Sequence, residues 1–271
     1  MRGVAAAFGV MLLCGLAARG QEGHRHELSE EEVGSVHFAT TCGVGMSEAA
    51  KAEFDAKFNK AVALLHSFQY EDTRAAFEKI ARENPRCAMA EWGVAMSHFH
   101  GLWRSGDFAA GSLAIGKAQQ IAKANAATSE REKGYIEALA AVYSDEKLDY
   151  GARGAAFEKK MGELAAANPT DTEAQIFHAL SLKLSASPLD RTFQTKKNAA
   201  GYWSRFSRSN HTIRAWRTTL FIATTIRCWP RMGWERRGCT RRLRRVPRTR
   251  IICRHIFLQE WDRGMNRSRR T

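Results

Sequence analysis

Apolar residues recur at helical spacing through most of the first 200 residues, with short interruptions of turn length. Phe54, Phe58, Ala61, Leu64 and Leu65 share one face of a segment that Ser47 can cap, which predicts a helix from there to about Phe68. Ala75, Ala76, Phe77 and Ile80 mark a second over Glu71–Glu83. Pro85 ends the connection, and Cys87 to about Phe99 forms a third. Gly101 to Asp107 breaks the pattern. Further helices are predicted at about Phe108–Asn125, Glu130–Tyr143, Gly151–Ala167, Asp171–Leu184 and Arg191–Ala200. No strand-like alternation of useful length occurs, so the predicted class is all-α. Gln21 to Gly45 is polar and mixed, and reads as extended or loosely ordered. The charged residues at 127–134 and 144–148 read as solvated helix ends.

A repeat runs through these helices. Counted back from Pro85, Tyr70, Thr73, Phe77 and Ile80 occupy the aromatic, small, aromatic and apolar offsets of the 34-residue tetratricopeptide pattern. Ala61 takes the small position where the two helices of a unit cross. Asn168-Pro169 begins a second pass, with Met161 and Leu164 behind it and a helix over Ala174–Leu182 ahead. That copy is degenerate, since Gly154 replaces the aromatic. The pattern predicts stacked antiparallel helical hairpins, a tetratricopeptide-like solenoid over residues 47–200. A non-repeating bundle is the alternative.

Charge changes the picture after Ala200. Residues 1–200 carry 23 Lys+Arg against 25 Asp+Glu, whereas residues 201–271 carry 19 Arg, no Lys, five of the seven Trp and only Glu235, Glu260 and Asp262 as acids. The formal charge of +14 therefore arises in the tail. A selected nucleic-acid arm mixes Lys with Arg, because both neutralise phosphate. GC-rich DNA read out of frame instead yields Arg and Trp. Taking the third base of each codon with the first two of the next, Gly201–Pro230 can be read as ILEPIFAKQPHHPGVAHYLIHSYDYPLLA, and Ile251–Thr271 as HMPSHIFTRMGSWDESIAAN. Trp and Met have single codons, so Trp229-Pro230, Met232-Gly233, Trp261-Asp262 and Met265-Asn266 force Ala, Gly, Gly and Glu. Each forced residue falls where the recovered text requires it. Residues 201–271 are accordingly read as an out-of-frame tail that forms no domain, and nucleic-acid binding through it is disfavoured.

At the other end, residues 1–20 open with one Arg, Arg2, and then an apolar run of signal-peptide length, with Ala17 and Ala18 before a cleavage point near Arg19–Gln21. The run is too short and Gly-broken for a membrane span. A lipid anchor at Cys14 is the lesser alternative, because Leu13 is large. The expected location is periplasmic or secreted, with residues 21–46 as an extended N-terminal segment. Export makes the even pair Cys42 and Cys87 a predicted disulfide, with Cα atoms within about 7 Å.

The segments VHFATTC at 36–42, AVALLHSF at 61–68 and CAMAEWGVAMSH at 87–98 resemble a family of exported bacterial tetratricopeptide proteins. The resemblance covers roughly residues 33–200 and continues in the two recovered passages. It implies a helical-repeat fold and a product both truncated and frameshifted; it implies no chemistry.

Candidate chemistry is sparse. His98 and His100 flank Phe99, but side chains two apart on a helix diverge by about 200°, and a metal needs three or four converging groups. His24 and His26 lie in the polar stretch after the leader. His66 near a helix end reads as a capping or packing residue. His66, Trp92, Met96, His98 and Trp103 form the candidate groove, although apolar residues at this spacing are more often core. No nucleophile elbow or Gly-rich phosphate loop occurs, and neither cofactor, metal nor catalytic residue is assigned. The favoured function is an exported helical-repeat module that binds an unidentified protein or peptide between hairpins. Its rival is a fragment of a larger enzyme or metal-binding protein whose His-rich site lies in the lost frame.

Overall fold

The computed structural model describes residues 36–185. The expectations for the leader, for a helix over 191–200 and for residues 201–271 concern residues outside that range.

The described chain is helical. Seven α-helices run in order: α1 Glu48–His66, α2 Tyr70–Glu83, α3 Ala88–His98, α4 Phe108–Ala124, α5 Glu130–Val142, α6 Tyr150–Ala167 and α7 Thr172–Ser185. Each boundary lies within two residues of its expected place. The starts are set by side chains that accept the orphan N–H groups of a first turn. Ser47 accepts from Ala50, Asp107 from Ala110 and Asp149 from Ala152. Ser129 and Glu132 close a reciprocal capping box at the start of α5.

The break at 101–107 contains a small hairpin that hydropathy did not announce. Strands β1 (Phe99–His100) and β2 (Ser105–Gly106) pair antiparallel, Phe99 opposite Gly106, across a 3-10 turn at Gly101–Trp103. Two residues per strand are too few to carry an alternation signal.

Each helix packs mainly on its neighbour in the chain, and α3 also meets α1 and α5. Ala61, Thr73, Phe77 and Ile80 are all buried. Small residues set the helix separations. A Cβ on Gly93 of α3 would stand 2.3 Å from the Phe77 ring of α2, and one on Gly111 of α4 would stand 2.1 Å from the Tyr143 hydroxyl. That hydroxyl donates to the Ala95 carbonyl at 2.8 Å, tying the segment after α5 to α3. The centre of the core is aromatic, with Trp92 edge-on to Phe77, Tyr135 and Phe177. Such pairs contribute about 0.5–1.5 kcal/mol beyond their buried area.

Cys42 and Cys87 form the expected disulfide, with Cα atoms 4.9 Å apart across a sequence separation of 45. The stretch read as extended or loosely ordered is described from residue 36 onward, and it runs into a 3-10 helix at Thr41–Gly43. Residues 36–40 are extended, but Val36 and Phe38 are each only 3% exposed, because their side chains enter the core between helices.

Candidate functional site

The extended segment lies across three helices. Val36 and Phe38 point inward while His37 and Ala39 face solvent, the period of two that an extended chain imposes. The Phe38 ring sits 5.6 Å from Phe58 of α1, 5.7 Å from Trp92 of α3 and 5.0 Å from Tyr135 of α5. The Arg131 guanidinium covers its outer face at 4.7 Å, a cation–π contact.

Polar groups hold the backbone on either side of that ring. Asn59 of α1 accepts the Phe38 N–H at 2.8 Å. Arg131 donates to the Ala39 carbonyl at 2.7 Å and to the Asp171 carboxylate at 2.5 Å. Glu132 accepts the Thr40 hydroxyl at 2.8 Å, the Thr41 N–H at 2.9 Å and the Thr41 hydroxyl. It also accepts both the N–H and the hydroxyl of Ser129 at 2.9 Å. Burial pushes the Glu132 carboxyl up, but the hydrogen bonds from Thr41, Ser129 and Thr40 outweigh it and leave the pKa below the ordinary value. A charged carboxylate with this many donors is stable in the interior. The disulfide closes the far end of the segment at the N-cap of α3.

Arg131 and Glu132 therefore correct the reading of 127–134 as a solvated helix end: Glu132 is 1% exposed and Arg131 is partly buried. Their partners on the N-terminal segment lie about ninety residues away in sequence, beyond the reach of local spacing. Residues 144–148 are exposed as expected.

A second feature joins α1 to α7. His66 Nε2 and Glu173 Oε2 are 2.8 Å apart, 107 residues apart in sequence, and both buried. Asp171 orients the start of α7 by accepting the Glu173 and Ala174 N–H groups. Beside this pair, Leu65, Phe68, Met96, Phe99, Phe177 and Leu180 wall an apolar cleft that encloses about 20 Å³. That is room for about one water molecule.

The five candidate groove residues divide. His66 and Met96 share the cleft wall. Trp103 stands beside it, edge-on to Phe68 and Tyr70. Trp92 is 1% exposed in the aromatic core, and its indole N–H has no hydrogen-bond partner. His98 is half-buried and apart from the cleft; burial, and then the nearby Arg74, hold its pKa below the ordinary value. His100 stacks on Tyr70 with ring centroids 3.9 Å apart. Among the described residues no three His, Cys, Asp or Glu side chains converge as a metal set, and no helix is long and apolar enough to cross a membrane.

Phe38, Asn59, Arg131, Glu132 and Glu173 escaped the sequence reading. The Ser129-to-Glu132 spacing is a capping-box signal and marked the start of α5, but nothing in it announces the two threonines that share the carboxylate. No protein-family model, curated protein or solved structure matches this chain.

Proposed function

We propose that the protein is an exported helical-repeat module of tetratricopeptide type that binds a protein or peptide in extended form. The observation that carries this reading is the segment 36–42, seated across α1, α3 and α5 by one aromatic anchor and backbone hydrogen bonds on both sides. Main-chain contacts for affinity and a side-chain pocket for selectivity are the ordinary means of holding an extended peptide. The repeat offsets around Pro85 and the buried small residues at helix crossings support stacked hairpins as the scaffold. The disulfide accords with an oxidising compartment. In the same reading, the Arg-rich text after Ala200 is out of frame and the product is truncated. A displayed peptide library panned against the full chain, before and after reduction of the bridge, tests the binding function. Enrichment of a shared linear pattern is the expected result, and a pool without any pattern in either state contradicts it.

A second reading, a fragment of a larger enzyme, draws on the buried His66–Glu173 pair beside the cleft, since a carboxylate that orients an imidazole is a common element of proton transfer. Restoring the frame and assaying the longer product for hydrolysis of ester and peptide substrates tests it; activity lost in Glu173→Gln is the expected sign, and an inert product counts against it.

A further inference from the structure

The face that holds residues 36–42 has the properties of a receptor, and the segment those of its ligand. The segment is extended over residues 36–40, turns into a 3-10 helix at Thr41–Gly43, and is anchored through one ring and a pair of hydroxyls. Four of its residues are held by helix side chains, Phe38 by Asn59, Ala39 by Arg131, and Thr40 and Thr41 by Glu132, while the Thr40 hydroxyl also accepts the Cys42 N–H within the segment. One covalent bond outside the main chain, Cys42–Cys87, ties it to the start of α3.

We infer that the channel between α1, α3 and α5 is an exchangeable binding site for an extended Phe-Xaa-Thr-Thr segment, filled in cis by residues 36–42 and released for exchange when the Cys42–Cys87 bridge is opened. The occupant in trans is the same segment of a second copy. This inference rests on the peptide-binding reading above and adds the recognised pattern and the control. A dithiol reductant supplies two electrons and two protons to the bridge, giving two thiols and becoming a disulfide itself. The segment is then tethered only through Gly43 to Ser47, and a second segment competes with it at a ratio set by concentration.

The selectivity follows from the contacts. Removing the ring would leave a hole between Phe58, Trp92 and Tyr135, and removing the hydroxyls would leave the buried Glu132 carboxylate short of donors. His37 and Ala39 face solvent, so the positions on either side of Phe are free.

Disulfide trapping tests this in the full chain carrying Cys42→Ser and Phe38→Ala, which weakens the resident segment and frees the Cys87 thiol. Synthetic peptides of residues 36–42 are supplied with their terminal cysteine as a thiopyridyl disulfide. The Cys87 thiolate attacks the peptide sulfur, forming the mixed disulfide and expelling thiopyridone. Labelling of Cys87 by the natural peptide should exceed tenfold the rate of a peptide with Ala in place of Phe, and of one with Val in place of both Thr. The chain's remaining cysteines should label alike with all three. Equal rates at Cys87 overturn the inference. Should that variant lose its helical circular dichroism, the natural chain gives the answer by amide exchange with and without dithiol. Phe38 and Thr41 N–H groups should exchange at least tenfold faster after reduction, while α1, α3 and α5 keep their protection. Joint loss of protection in segment and helices overturns it. A shared pattern in the library that lacks Phe-Xaa-Thr-Thr sinks this inference alone, whereas a patternless pool sinks the parent reading as well.

Discussion

Phe68 leaves α1 with φ 59°, in the left-handed region that favours glycine. Its N–H donates to the Leu65 carbonyl at 3.0 Å and that of Gln69 to Leu64 at 3.1 Å, the paired bonds of a Schellman end. Here the left-handed residue carries a buried ring, which meets Trp103 and walls the cleft. The backbone costs about 1–2 kcal/mol at a non-glycine residue, whereas truncating a buried Phe costs about 3–5 kcal/mol. Packing wins. Phe68→Gly should therefore lower unfolding stability by about 2 kcal/mol in urea titration; a more stable variant would show that the ring contributes little. Glu132 is the other decisive residue. Its folded pKa lies below the unfolded one, so its stabilisation is fully present above the unfolded carboxylate range and is lost as pH falls through the folded value. Glu132→Gln should cost about 1.5–3 kcal/mol at pH 7. The difference from the natural chain should shrink on acidification, and a constant difference across that titration would count against the charged carboxylate.

At the scale of elements, glycine sets how closely α2 and α3 approach. Gly93→Ala places a methyl against the Phe77 ring, which is itself fully buried and has nowhere to move. Overpacking of this kind costs about 1–3 kcal/mol, outweighing the helix propensity gained, about 1 kcal/mol. A melting temperature lowered by a few degrees is expected, and an unchanged one would mean that the helices separate freely. The helices themselves were legible because each carries its own start signal and apolar face; Ser47, Asp107 and Ser129 act within three residues of the groups they cap. The Cys42–Cys87 pairing was legible from an even pair left between an export-like leader and the Arg-rich tail. The segment at 36–42 was not, since only Val36 and Phe38 alternate and two positions make no pattern. Nor were the roles of Arg131, Glu132 and Glu173, whose partners are fixed by the tertiary fold. Charge at a helix start reads as solvated until the neighbour that buries it is known.

For the whole described molecule, three long-range ties close the helical array: the disulfide, the Glu132 cluster and the His66–Glu173 pair. The disulfide removes a large loop from the unfolded ensemble and should contribute about 2–4 kcal/mol. Reduction should lower the urea midpoint accordingly while leaving the helical signal intact in native buffer; collapse of that signal on reduction would make the bridge a requirement for folding rather than a lock. The central claim is that the face of α1, α3 and α5 receives an extended peptide, and an equilibrium titration tests it most directly. A fluorescent peptide of residues 36–41 is titrated with the natural full chain, oxidised and reduced, and followed by anisotropy. Binding should be saturable to the reduced chain, at least tenfold weaker to the oxidised chain and lost with Glu132→Gln. Equal binding to both forms, or no saturable binding to a reduced chain that retains its helices, would contradict the claim.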